Sequence, residues 1–514
     1  MADLAVGIDA LVSWLRSLAP SAQLTSDSRQ VGPGDVFLAY PGDSADGRNY
    51  IASAVQRGAA AVVYDEADGY AWDEALPVPH RAVAGLKQLA GPLASAWYGA
   101  PDAQMLVVAV TGTNGKTSCS QWLGRALSKQ GEPTLVVGTL GTGIYRAGMA
   151  GTFNETGYTT PDAVLLQRRL AQARSSGVRA LAIEASSIGL DQGRLNGLHV
   201  DIALFTNFTR DHLDYHGDMA AYEAAKRSLF DWPGLRHAVI NLDDAMGRRL
   251  AAYLRSSASA VKVTGYSIAD AGKDAGDMPV LQATDIRSSN NGTVFQLATP
   301  QGPAQVRTQL VGHFNVSNVL GIAGVLLARG AALRTVVELI ESLQSVPGRM
   351  QQMGGQEAPL VVIDYAHTPD ALEKTLATLR EVADQRHGQL WCVFGCGGDR
   401  DPGKRGQMGT VATAADHVIV TSDNPRGENP ADIIEQIIEG MKISNAMKSA
   451  PHVIEDRAAA ILYAVKHAAR ADVVLLAGKG HETYQEIKGR KLPFLDADHA
   501  ALSLAARVTM KGML

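Results

Sequence analysis

Met105-Leu106-Val107-Val108-Ala109-Val110 runs into Thr111-Gly112-Thr113-Asn114-Gly115-Lys116-Thr117 and then into SCSQWLGRALSKQG (118–131), and the fold is decided by how these residues are read. The apolar, β-branched run reads as a strand. The last segment has helical apolar spacing and ends on a glycine. Between them lies a loop whose successive N–H groups, together with the dipole of the following helix, can hold a polyphosphate. Gly112 and Gly115 let the backbone come close, Lys116 neutralises the outer phosphates, and the Thr117 hydroxyl is placed for a Mg²⁺ ion bridging them. Gly112, Thr113, Asn114, Gly115, Lys116 and Thr117 are therefore candidate ATP-binding residues. Val110 stands where the usual phosphate-loop pattern has glycine, so the strict motif is not met, and the bland alternative is a glycine turn with an incidental lysine.

Further strands are predicted at 179–185, 201–207 and 237–243, separated by helical patterns, which implies a mostly parallel sheet flanked by helices. From about Asp285 alternating segments around an Asn-Gly turn imply an antiparallel annex, preceded by a polar, Gly-rich surface loop at 266–279. After Val346-Pro347-Gly348 the alternation restarts, with strands at 360–365, 390–395, 417–422 and 472–478; weaker strands occupy 35–40 and 59–65. The expectation is an α/β chain of three domains: a small N-terminal α/β domain (1–102), a central phosphate-loop domain with the annex (103–346), and a C-terminal Rossmann-like domain (347–514).

The 514-residue length agrees with three domains at roughly 150 residues each. With 47 basic and 52 acidic side chains and net charge -5, no bulk basic field attracts nucleic acid or acidic membranes. A 46% hydrophobic and 19% charged composition excludes a largely disordered chain. Cys119, Cys392 and Cys396 are too few and too dispersed for a disulfide framework or a four-thiolate zinc site, which fits a reducing cytoplasm. The N-terminal segment does not read as a secretory signal, and the apolar stretch from Val319 to Leu333 is broken by glycines and Arg329. A cytoplasmic protein with no membrane partner is expected.

Glu184 lies at the C-terminal end of a predicted strand, the edge where open α/β sheets bind ligands, and is a candidate oxygen ligand for Mg²⁺. The next strand leads into a loop from Asn207 to Gly217 that is dense in ionisable groups. There Asp211 and Asp214 read equally as helix caps, and His216 as a solvated loop histidine. Lys226 sits on an amphipathic helix and by spacing alone is a solvated surface lysine.

Asn315 and Asn318 precede an apolar helix and carry the paired donor and acceptor an adenine edge needs, or else cap the helix. Asp364, ending a strand, can accept from ribose hydroxyls. Asp423-Asn424-Pro425-Arg426 again follows a strand: the Arg426 fork matches a carboxylate, and Asp423 and Asn424 can receive an ammonium. Arg400 adds a second cation, and Gly478 and Glu482 add a carbonyl and a carboxylate at another strand end. Together they suit a substrate with two amino-acid centres. A type I turn with Pro425 second would explain the tetrapeptide alone. Ser26, Ser28, Asp43, Ser44 and Ala45 lie in small polar loops, weak signals that usually mean turns.

The loop 111–117 after its strand resembles that of the Mur ligases and the related folylpolyglutamate synthases, which form amide bonds at the expense of ATP. The resemblance extends over essentially the whole chain. It implies that His212, Thr117, Glu184 and Lys226 bind metal, that Lys226 is carbamylated and so helps hold a second Mg²⁺, and that Lys116, Lys226, His212 and Glu184 are the catalytic set. It implies uridine-diphosphate contacts from Ser26, Ser28, Asp43, Ser44 and Ala45, and muramoyl-peptide contacts from Thr159, Thr160, Ser186, Gln192 and Arg194. It matches Asn315, Asn318 and Asp364 to the nucleotide. Asp423-Asn424-Pro425-Arg426, with Arg400, Gly478 and Glu482, resembles the members that add meso-2,6-diaminopimelate to UDP-N-acetylmuramoyl-L-alanyl-D-glutamate. The expected activity is therefore ATP-dependent ligation of these small molecules, with Mg²⁺ as cofactor, by a monomer. A folylpolyglutamate synthase-like ligase and a non-catalytic ATP-binding scaffold are the alternatives. Ile188 departs from the family, which often has histidine there, so the contact of that histidine is absent or supplied elsewhere.

Overall fold

The structure, a computed structural model, describes residues 2–43, 45–154, 157–256, 260–269, 276–289, 292–444 and 449–511. It has the three-domain α/β architecture the sequence implies. Four parallel strands, Leu24–Thr25, Val36–Ala39, Ala61–Asp65 and His80–Val83, form the N-terminal sheet.

The central sheet is built around Leu106–Thr111, flanked in parallel by Ala180–Glu184 and Ile202–Phe205. Val108 and Val110 face one apolar layer and Val107 and Ala109 the other. Both faces are covered, which is why the strand reads as an unbroken apolar run. Thr134–Gly138 continues the parallel order beyond Ala180–Glu184, and His237–Asn241, Lys262–Ser267 and Val280–Ser289 continue it beyond Ile202–Phe205. The sheet turns antiparallel at both edges, through Gly292–Thr299 and Gly302–Thr308 on this side and through Gly141–Arg146 and Met149–Ala150 beyond Thr134–Gly138. The pattern change at Asp285 marks a register shift between Thr284 and Arg287, with Asp285 at φ 51. Asn291 of the Asn-Gly turn and residues 270–275 of the predicted surface loop at 266–279 fall outside the described residues.

The C-terminal sheet runs Gln351–Gly354, Leu360–Asp364, Val473–Ala477, Leu390–Phe394, His417–Val420, His452–Val453, parallel apart from its first strand. Its strands end toward the central domain, so the ligand-binding edges of two sheets face one cleft.

The N-terminal domain is seated on the central one through a backbone contact. On helix Leu86–Trp97, a Cβ added to Gly91 would lie 1.9 Å from the Asn196 carbonyl oxygen. Gly91→Ala must therefore push the domains apart, at about 1–3 kcal/mol for overpacking. Calorimetry should show a lower melting temperature for Gly91→Ala. Gly7→Ala is the control, since nothing lies within 4 Å of a Cβ there.

Candidate active site

The phosphate loop forms because two glycines occupy conformations and spaces that other residues cannot. Gly112 has φ 146 and Gly115 φ 88, and a Cβ would lie 1.9 Å from Thr206 Oγ1 and 2.5 Å from Asn318 Oδ1 respectively. Helix Lys116–Lys129 begins immediately after, so its free N–H groups face the loop. The neighbouring strand end braces the loop: the Asn114 N–H donates to Asn207 Oδ1 (2.9 Å), and the Thr206 hydroxyl donates to the Asn114 carbonyl (2.6 Å).

Lys116 Nζ donates to the Gly112 and Thr113 carbonyls at 2.8 and 2.9 Å. Burial lowers its pKa, opposed by Glu184 and Asp211. Glu184 is fully buried and accepts from the hydroxyls of Thr117 (3.1 Å) and Thr139 (3.0 Å) and from the Thr139 N–H (2.9 Å). Thr117 and Glu184 thus form a pair of hard oxygen donors beside the phosphate loop, chemistry that fits Mg²⁺. Among the described residues there is no group of three or more His, Cys, Asp and Glu side chains arranged to hold a metal. Two protein oxygens with the remaining positions open suit an ion that keeps waters and phosphate ligands.

Lys226 is not the solvated lysine that its helical spacing suggests. It is 1% exposed, its Nζ donates to the Gly112 carbonyl at 2.8 Å, and it lies 4.4 Å from the centre of the Tyr222 ring. The Gly112 carbonyl therefore accepts from both Lys116 and Lys226. Burial, and then Lys116, push the Lys226 ammonium well below the ordinary lysine range.

His212 has φ 52, stands edge-on to Tyr222 at 6.1 Å between ring centres, and is lowered to about 4 by desolvation. It is therefore neutral, the form that ligates metals. Asp211 caps no helix: its Oδ1 accepts from the His212 N–H, and Asp218 caps helix Met219–Arg227 instead. His216 is not simply solvated either, since its Nε2 lies 3.0 Å from Ser187 Oγ.

Between the central and C-terminal domains lies a cavity of about 520 Å³ lined by Asn114, Thr117, Asn315, Asn318, Arg349, Asp364 and Tyr365, among others. Asn315 Nδ2 donates to the Val311 carbonyl (2.9 Å), and neither asparagine caps the helix, whose N-cap is Gly312. Asp364 accepts from the Met350 N–H (2.8 Å), and burial raises its pKa. Arg349 crosses the cleft. Its Nη2 donates to Thr117 Oγ1 at 3.1 Å, and its guanidinium lies 4.5 Å from the Tyr365 ring centre. Sequence reading used the neighbouring Val346-Pro347-Gly348 only as a boundary and so passed over Arg349. Two further ties close the same cleft: Asn114 Nδ2 to Asp370 Oδ2 at 3.2 Å, and Arg210 to Asp401 at 3.9 Å.

The residues assigned to a zwitterionic substrate come together in the C-terminal domain. Arg426 Nη1 donates to the Gly398 carbonyl (2.8 Å) and its Nε lies 3.4 Å from Glu486. Its φ of 51 excludes a type I turn, which needs about -90° at that position. Arg400 is exposed and touches only the Asp399 carbonyl, at 3.2 Å, among its hydrogen bonds. Asn424 is engaged within the protein: Oδ1 accepts from Lys479 Nζ (3.1 Å) and the Glu486 N–H (2.9 Å), and Nδ2 donates to Glu482 (2.8 Å). Lys479, wholly buried, also holds Glu482 at 2.9 Å. Asp423 is buried behind Gly478, where a Cβ would lie 2.6 Å from its carboxylate, and burial raises its pKa. Lys479 is a buried cation that only tertiary contacts identify.

Where the N-terminal and central domains meet, Ser26 Oγ donates to Asp162 Oδ1 at 3.0 Å. Arg194 Nη1 donates to the Thr160 carbonyl (2.9 Å), and its guanidinium lies 4.3 Å from the Tyr158 ring centre. Thr160 Oγ1 lies 2.9 Å from Ser186 Oγ, and Thr159 Oγ1 lies 3.3 Å from Thr139 Oγ1. Gln192 follows the short helix Ser187–Asp191. Ser28 is buried, Asp43 pairs with Lys87 at 2.9 Å, and the Ala45 carbonyl accepts from the Gly42 N–H (2.9 Å). Ser44 lies outside the described residues.

Three family models match the chain: the Mur ligase family catalytic domain over 22–97, the Mur ligase middle domain over 110–326, and the Mur ligase glutamate ligase domain over 348–480. A relative from Janthinobacterium sp. (strain Marseille) is 66% identical over 498 residues, 97% of each chain. One from Ralstonia nicotianae is 52% identical over 513 residues, 98% of each. Both are named UDP-N-acetylmuramoyl-L-alanyl-D-glutamate--2,6-diaminopimelate ligase. A solved structure bearing that name matches with TM-score 0.66 at 36% identity, covering 95% of each chain.

Proposed function

The chain belongs to the Mur ligase family, and from that premise we propose that it is an ATP-dependent ligase that adds meso-2,6-diaminopimelate to UDP-N-acetylmuramoyl-L-alanyl-D-glutamate. The product is the UDP-linked tripeptide of peptidoglycan precursor synthesis, formed with ADP and phosphate. The observation that carries the reading is the convergence on one cleft of the phosphate loop, the Glu184 carboxylate and the Arg210–Asp401 tie to the loop bearing Arg400.

A glutamyl carboxylate oxygen attacks the γ-phosphorus and ADP departs, leaving an acyl phosphate. The amine at the L-centre of diaminopimelate then attacks the carbonyl carbon and loses a proton as phosphate leaves. The first step brings anions together, so the protein must supply positive charge and alignment. Lys116 and the helix N-terminus do so at the phosphates. Asn315, Asn318 and Asp364 hold the nucleoside, and Gly112 to Thr117 its phosphates. Thr117, Glu184, His212 and carbamylated Lys226 would hold Mg²⁺, which when bound would supply positive charge to the phosphates. Closure of the cleft keeps water from the acyl phosphate.

Ser26, Ser28, Asp43, Ser44 and Ala45 take the uridine diphosphate, and Thr159, Thr160, Ser186, Gln192 and Arg194 the muramoyl peptide. Arg400, Asp423, Asn424, Pro425, Arg426, Gly478 and Glu482 form the diaminopimelate site, with Asn424 and Glu482 pre-set by Lys479. Domain limits of 1–102, 103–346 and 347–514 follow the three sheets. No helix among the described residues is long and apolar enough to cross a membrane. We place the enzyme in the cytoplasm as a monomer acting on small molecules.

The test is product formation with meso-diaminopimelate, lysine and ornithine in parallel, on the UDP-linked dipeptide and on a folate acceptor. A site built for a second carboxylate should favour diaminopimelate over lysine by at least about a hundredfold in kcat/KM. Equal use of lysine, or ligation to folate only, would overturn the proposal.

A further inference from the structure

Arg400 and Arg426 stand on separate loops, and neither side chain is fixed by its own helix or strand. Behind them lies a cross-brace. Arg405, on helix Gly403–Ala412, is 1% exposed and grips Glu428 with both terminal nitrogens, Nη1 to Oε2 at 2.9 Å and Nη2 to Oε1 at 2.8 Å. The same guanidinium donates to Gln436 Oε1 (3.0 Å) and to the Gly397 carbonyl (3.2 Å). Glu428 Oε1 also accepts from the Asp399 N–H at 2.6 Å, and Asp399 Oδ2 accepts from the Gly427 N–H at 2.9 Å. The loop ahead of Arg400 is thereby stitched to the loop carrying Arg426. At the crossing, a Cβ on Gly398 would lie 2.0 Å from the Pro425 carbonyl oxygen.

Burying a guanidinium is costly unless it is paired and hydrogen-bonded, and one already gripped by a carboxylate, an amide and a carbonyl has little left for a ligand. Its geometry is instead spent on the two loops. Asp399 and Arg426 both hold positive φ, 50 and 51, a conformation non-glycine residues keep only when their surroundings impose it. The brace holds the Asp399 N–H and the N–H of Gly427 next to Arg426, while the Arg426 backbone itself is also tied to the Glu486 carbonyl and the Lys488 N–H.

We propose that the Arg405–Glu428 pair, extended through Asp399, is a positioning element that fixes the spacing of Arg400 and Arg426 and so sets selectivity for the amino-acid substrate. The inference rests on the reading of that site given above. A bidentate carboxylate contact depends on fork geometry to within fractions of an ångström, so loosening the loops should weaken amino-acid binding and leave both other substrates alone.

Steady-state kinetics with meso-diaminopimelate, ATP and the UDP-linked dipeptide decide it. Glu428→Ala and Asp399→Ala should each raise the KM for diaminopimelate tenfold or more while the other two KM values stay within twofold. Asp399→Asn keeps an acceptor for Gly427 and should remain near wild type. Asp399 is exposed, so its variants decide the matter even if Glu428→Ala fails to fold. Parallel rises in all three KM values would mean a merely structural role and overturn the proposal. So would an unchanged diaminopimelate KM in both alanine variants beside a raised one in Arg426→Ala. An unchanged KM in Arg426→Ala would instead overturn the site reading itself, and this inference with it.

Discussion

Lys226→Ala is expected to lower kcat by about 10²–10³-fold, the scale of removing one preorganised charge partner, with added formate or acetate restoring part of the loss. Lys226, 1% exposed, shares the Gly112 carbonyl with the half-buried Lys116, each Nζ at 2.8 Å. Burial strips the Lys226 ammonium of solvation and the Lys116 ammonium on the same acceptor repels it, so the proton is held weakly at Lys226. A neutral amine can add CO₂: its lone pair bonds the carbon, a proton leaves, and a cation becomes a carbamate anion. That reversal would turn a repulsive neighbour of Lys116 into an attractive one and would give the phosphate site a further hard oxygen donor. A small carboxylate diffusing into the space left by alanine would supply the same charge and the same atoms. Steady-state rates measured with and without formate check the expectation. Full activity in the alanine variant would show that the carbamate does not matter. A deep loss that no carboxylate relieves would give Lys226 a packing role against Tyr222 instead.

Lys226 also shows where sequence reading stops. The strands ending at Thr111, Glu184 and Phe205 are legible because a parallel sheet covered on both faces forces continuous apolar runs, and a polar residue closes or directly follows each run (Thr111, Glu184, Thr206) at the ligand edge. The glycines of the phosphate loop are legible because few residues tolerate their conformation. By contrast, helix Met219–Arg227 has ordinary amphipathic spacing, and what buries Lys226 is the carbonyl of Gly112, more than a hundred positions earlier. Lys479, Arg405 and Arg349 were hidden for the same reason: their partners Asn424, Glu428 and Thr117 lie far off along the chain or in another domain. The strand His80–Val83 was also missed. It is a partly exposed edge strand, so burial imposes no apolar run on it. Ile188 remains the one departure from the family pattern with no substitute contact in the structure that we can assign to it.

Arg426→Ala is expected to raise the KM for meso-diaminopimelate by about 30- to 1,000-fold, which corresponds to about 2–4 kcal/mol for losing one partner of a desolvated, hydrogen-bonded charge pair. Arg426 is poised rather than free. It is held by the Gly398 carbonyl and by Glu486, and its backbone is pinned in the left-handed region by the Glu486 carbonyl and the Lys488 N–H. On the proposed reading an incoming carboxylate would meet a fork already oriented, with little ordering entropy lost on binding. Alanine is the informative replacement because it keeps a Cβ and with it the backbone strain, whereas glycine would relax the loop and confound the result. Arg426→Lys keeps the charge but not the two parallel donors, and should fall between wild type and alanine. The KM values for ATP and for the UDP-linked dipeptide should stay within a few fold in both variants, since the phosphate loop and the Ser26–Asp162 junction belong to other domains. Lysine lacks the second carboxylate, so its poor use as a substrate should be nearly indifferent to the change. Selectivity between the two amino acids should then collapse through the loss of diaminopimelate binding rather than any gain for lysine. Equal weakening of all three substrates would place Arg426 in the framework of the domain and not at the carboxylate.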